Sequence, residues 1–152
     1  MANDGFNWSN FFKGAAQVAF VVGAGYAAHR VRENEIDRLV ALPLEDGLRV
    51  IIQSVPPMDN ENCLDFQRRL AARAQHNQNA QTLLIMTKLM VQAENQVRQI
   101  LGQYGPREAA EICAGVLRTK NDIEQFAFVS LLYYFSQRDA KAQAVMGYLQ
   151  QG

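Results

Sequence analysis

Few side chains in this sequence stand at spacings that chemistry requires. The two histidines, His29 and His76, are isolated, and neither has a Glu three residues before it. The Glu-x-x-His pairs of di-iron bundles and the His-Glu-x-x-His zinc motif are therefore missing. His29 beside Arg30 marks a polar boundary, and His76 falls in a turn-like run, His76-Asn77-Gln78-Asn79. Cys63 and Cys113 lie far apart, with no metal-ligand or Cys-x-x-Cys spacing. They read as two buried free thiols, a disulfide being open only to a chain in an oxidising compartment. Ser130 and Ser136 have no neighbouring base in sequence and read as helix-surface or capping residues. A P-loop and a Gly-x-Ser-x-Gly elbow are absent. Asp59, Glu61 and Asp65 could suggest a cation cluster, but helix capping and a solvated face account for them. Arg68, Arg69 and Arg73, with Lys88 further on, could touch anionic lipid or nucleic acid. A solvated helix face is the simpler reading. These residues lead us to expect no catalytic group, no metal site and no cofactor.

Composition narrows the class. The 152 residues carry 15 Lys+Arg against 15 Asp+Glu, a formal net charge of zero. Neutralising phosphates needs clustered cations, so no nucleic-acid partner is expected. At 49% hydrophobic and 20% charged, the chain is too apolar for global disorder. Its length suits one domain with a substantial core. No basic n-region or convincing cleavage site marks a secretory signal, since Asp4 precedes Lys13, the first cation. The sequon Asn7-Trp8-Ser9 matters only in a secretory lumen.

The informative stretch is near the N-terminus. Small residues recur every four positions, at Ala15, Ala19, Gly23 and Ala27, and Gly14, Ala16, Ala24, Gly25 and Ala28 widen the stripe. On a helix this makes a smooth face on which a second backbone can pack closely, the way helices associate in lipid. Phe11, Phe12, Phe20, Val21, Val22 and Tyr26 supply an apolar side. Trp8 stands where an interfacial anchor belongs, and Arg30 and Arg32 follow the apolar run. If the run is inserted in a membrane, the excess of cations after it predicts by the positive-inside rule that the rest of the chain is cytoplasmic, in agreement with free cysteines. The apolar run is about 18 residues against the roughly 20 that a span needs, and Lys13 would have to snorkel. A soluble helix buried in an oligomer is thus the second reading of the same face.

A third reading is chemical. The segment 17–22 followed by Gly23-Ala24-Gly25-Tyr26-Ala27-Ala28 resembles the G-x-G-x-x-G/A fingerprint of dinucleotide-binding Rossmann domains. The resemblance implies a strand, a phosphate-holding turn at a helix N-terminus, and NAD or FAD as ligand. Glu45 stands at about the distance of the ribose-binding acid. The resemblance covers about 30 residues, and after Pro57 the sequence offers none of the alternating strands that the fold needs.

The elements that must position these residues read as helices throughout. The expected fold is all-α, a long N-terminal small-residue helix, open to membrane embedding, followed by a compact multi-helix bundle. Residues 1–8 form a tail, 9–42 the long helix and candidate membrane anchor, and 43–152 the bundle. In the second half of the long helix Val31, Ile36, Leu39 and Val40 share a side until Pro43 stops it. A helix over 44–54, with Glu45 and Asp46 in its first turn, shows Leu48, Ile51, Ile52 and Val55 at i, i+3, i+4, i+7. Gly47 weakens it, and residues 49–52 could instead be a short strand. A third helix over 61–75, capped by Asp59 or Asn60, buries Cys63, Phe66, Leu70 and Ala74. A fourth, over 80–104, has a heptad-like seam of Leu83, Met86, Met90, Ala93, Val97, Ile100 and Tyr104. Leu84, Ile85, Leu89 and Val91 predict burial of its first half on several sides, and Glu94 and Arg98 make a helix-supporting i,i+4 pair. A fifth helix, over 106–119, buries Ala109, Ile112, Cys113, Val116 and Leu117. Asn121 and Glu124 form a capping box for a sixth, whose apolar run 126–135 predicts the core helix. Asp139 starts a seventh that presents Ala142, Val145, Met146 and Leu149. The sequence thus predicts a non-enzymatic structural or assembly component, membrane-associated or part of a multi-subunit complex, self-associating through the small-residue face. The alternatives are a protein binding NAD or FAD through residues 23–28 and a soluble helical adaptor.

Overall fold

A computed structural model of the chain describes residues 33–151. Among them the chain is all-helical, with seven helices and no strand. The expected small-residue face (Ala15, Ala19, Gly23, Ala27) and the anchors Trp8, Arg30 and Arg32 lie outside the described residues, as does the 23–28 motif. We label the helices α1 (Glu33–Ala41), α2 (Leu44–Ser54), α3 (Asn60–Ala74), α4 (Gln78–Gln103), α5 (Pro106–Arg118), α6 (Asp122–Ser136) and α7 (Ala140–Gln151). No helix among the described residues is long and apolar enough to cross a membrane. The residues pack as two units, 33–88 and 89–151, whose border falls within α4.

In the first unit, α1 packs on α2 and α3. Ile36, Leu39 and Val40 are buried, which places three of the four apolar residues foreseen on that side. Pro43 has no amide hydrogen to continue α1, and its φ of −51° presets the start of α2. Residues 49–52 are helical, which removes the strand alternative. Gly47 explains why a weak helix former stands there. A Cβ at this position would meet Leu83 Cδ1 and Cδ2 at 3.3 Å, so the absent side chain is what lets α2 approach α4. The inward face is slightly rotated from the expected one, because Val50 is buried where Leu48 is only half-buried. The α3 start follows its cap. Asp59 accepts from the Asn62 amide at 2.7 Å, while Cys63, Phe66 and Leu70 turn inward. Ala74, the last residue of α3, stays half-buried. The next junction is also closed by side chains. Gln81 Nε2 donates to the Ala74 carbonyl at 2.7 Å, Asn77 Oδ1 accepts from the Ala80 amide at 3.0 Å, and Asn79 Nδ2 donates to the Leu42 carbonyl at 3.2 Å. Each satisfies a backbone group that a helix end leaves without a partner.

In the second unit, α7 packs on both α5 and α6. Pro106 occupies the first turn of α5 after an extended Gly105. The capping box of α6 is formed in both directions: Asn121 Oδ1 accepts from the Glu124 amide at 2.9 Å, and Glu124 Oε1 accepts from the Asn121 amide at 3.0 Å. Six consecutive residues of α6, 127–132, are buried, which makes it the core helix. A helix apolar all round has no outward face to spare, so its neighbours must cover it. Asp139 accepts from the Ala142 amide at 3.3 Å, and Ala142, Val145, Met146 and Leu149 are all buried as their spacing required. Lys141 Nζ donates to the Leu101 carbonyl at 2.8 Å, placing a cation at the negative C-terminal end of α4. In α5, Ala109, Cys113 and Leu117 are buried together with Ala110, whereas Ile112 and Val116 are half-buried.

The seam of α4 is buried at Leu83, Met86, Met90, Val97 and Ile100 and half-buried at Ala93 and Tyr104. Burial of its first half on several sides is not found. Ile85 is 48% and Val91 42% exposed, and Leu84 and Leu89 are half-buried. One stripe of the helix is buried, and Ile85 and Val91 lie outside it.

Candidate functional site

The side chains with chemical potential are dispersed over several helices, and local structure accounts for most of them. Asp65 on α3 accepts from Arg68 Nη2 at 2.6 Å and Arg69 Nε at 2.8 Å, and Arg73 Nε reaches Asp37 Oδ1 at 2.7 Å. The basic run is therefore interleaved with carboxylates, as expected of a solvated face. Asp59 is a cap, and Glu61 is exposed at the start of α3. Among the described residues no group of three or more His, Cys, Asp and Glu could hold a metal ion. His76 is exposed in the turn between α3 and α4. In α2, Arg49 bridges Glu45 at 2.7 Å and Asp46 at 3.0 Å. Glu45 thus serves the first turn of a helix, a complete structural role in its own right.

Both cysteines are free and buried, as their spacing suggested. Gln67 Nε2 donates to Cys63 Sγ at 3.5 Å, one turn along α3. Cys113 on α5 is fully buried, and burial pushes its thiol from 9.0 up to about 11. A reactive thiol needs the opposite shift. The sign for stability follows directly. Between pH 9 and about 11 the folded chain keeps a proton that the unfolded chain releases. Stability is therefore whole below that range and falls as the pH climbs through it. Burial also raises Tyr133, which acts with the same sign in its own range. We expect denaturant midpoints to drop across pH 9 to 11 and the drop to be smaller in Cys113→Ala. An equal slope in both proteins would contradict this account of the thiol.

Two buried hydroxyls, Ser54 Oγ and Ser130 Oγ, have no hydrogen-bond partner among the described residues. Ser130 was expected at a helix surface or cap. It lies instead in the buried face of α6, because the run that surrounds it is covered on all sides. Thr87 shows the ordinary solution to the same problem, donating to the Leu83 carbonyl one turn back at 2.8 Å. Ser136 donates to the Tyr133 carbonyl at 2.6 Å at the end of α6, the capping role foreseen.

The arrangement that sequence reasoning missed is aromatic. Arg98 lies over the Phe135 ring at 4.8 Å, Arg138 over Tyr134 at 3.8 Å, and the two rings meet edge to face at 5.6 Å. Arg138 Nη1 also donates to the Tyr134 carbonyl at 3.1 Å, and Gln137 Nε2 donates to Tyr133 Oη. The pair Glu94–Arg98, foreseen from spacing, is present at 3.6 Å. Arg98 and Arg138 thereby close the C-terminal end of α6, where cations are favoured. The sequence signal was an arginine just past an aromatic run, but the partner across from α4 required the fold. The described residues thus assemble a helix-stabilising framework. No protein-family model matches the chain, and neither a curated protein nor a solved structure matches it.

Proposed function

We propose that this chain is a non-enzymatic assembly component, in which a helix over residues 9–42 associates through Ala15, Ala19, Gly23 and Ala27 and the helical bundle after it presents a partner surface. The observation that carries the reading is the four-residue recurrence of small side chains within an apolar run that also holds Phe11, Phe12, Phe20, Val21, Val22 and Tyr26. Small residues let backbones approach, and close approach is the main source of affinity between helices in lipid. The proposal puts the face in a membrane, with Trp8 at one boundary, Arg30 and Arg32 at the other, and the bundle in the cytoplasm. A copy of the same chain or another subunit of a complex supplies the second helix. The dinucleotide reading rests on Gly23, Gly25 and Ala28 after the segment 17–22, with Glu45 as the ribose-binding acid.

Extraction of the full chain tests the proposal. It is expected to resist alkaline carbonate and to dissolve in detergent. Val21→Arg places a cation in the middle of the apolar run, at a cost of about 2.5–3.5 kcal/mol at a helix centre, and should move the protein to the soluble fraction. Release of the unaltered chain by carbonate as a large particle would shift the site of assembly from lipid to a soluble complex. Release as a monomer overturns the proposal. Saturable heat on titration with NAD or FAD, lost in Gly23→Leu, would replace it by the dinucleotide reading.

A further inference from the structure

We draw no further inference here: the strongest candidate, the uncharged outward face of the C-terminal half of α4 formed by Gln92, Asn95, Gln96, Gln99 and Gln103, is exposed, and nothing in the structure shows what covers it.

Discussion

Phe128→Ala is expected to lower the stability of the fold by about 3–5 kcal/mol, the range for removing a buried phenylalanine side chain. The ring is fully buried within the six-residue buried run of α6. Truncation there loses transfer free energy and leaves a cavity, because a helix covered on all sides has no loose neighbour to collapse inward. The Lys120 ammonium, 5.8 Å from the ring centroid, loses its aromatic partner as well. Folded domains hold only about 5–15 kcal/mol in total, so this one change removes a large part of the reserve. Urea unfolding followed by circular dichroism measures it. Leu64→Ala is the matched control, since Leu64 is 65% exposed on α3. Its expected cost is within about 0.5 kcal/mol. Similar losses for the two variants would refute the assignment of α6 as the core helix.

At Gly47 a graded series is expected to turn sharply with side-chain size. Alanine gains about 1 kcal/mol of helix propensity over glycine. Its Cβ would press on Leu83 at 3.3 Å, which a flexible leucine relieves by a small shift, so the net change should be near zero. Leucine cannot be relieved in that way. It must displace Leu83, and the Leu39 carbonyl lies 3.7 Å from the Cβ position on another side. Overpacking of this kind costs about 1–3 kcal/mol. Gly47→Leu should therefore unfold at distinctly lower urea than Gly47→Ala. If both are more stable than the parent, the close approach of α2 to Leu83 is wrong.

The elements that were legible in the sequence are those specified locally. Asp59, Asn121 and Asp139 announce helix starts because a short polar side chain can cap its own helix without any tertiary partner. Pro43 and Pro106 mark boundaries through their missing amide hydrogen. The α7 face was complete in its spacing, since Ala142, Val145, Met146 and Leu149 repeat at three and four. What sequence did not reveal depends on neighbours. Gly47 resembles a helix breaker until Leu83 is brought against it. Ile85 and Val91 carry the same apolar signal as the buried seam, and only the packing of α4 decides that they face outward. Ser130 reads as polar surface because its hydroxyl counts for more in one dimension than the apolar residues around it. The Arg98–Phe135 contact joins helices far apart along the chain, and spacing within one helix carries no trace of it. The candidate assembly site was read from spacing alone, since Ala15, Ala19, Gly23 and Ala27 fall outside the described residues.

Sedimentation of the full chain in mild detergent, compared with Gly23→Leu, tests most directly the claim that association resides in the small-residue face and folding in the bundle. The account predicts an oligomer for the parent chain. For the variant it predicts self-association weakened by tenfold or more, about 1.4 kcal/mol, with an unchanged urea midpoint for the bundle. Identical sedimentation of the two proteins, whether both associate or both are monomeric, would contradict it.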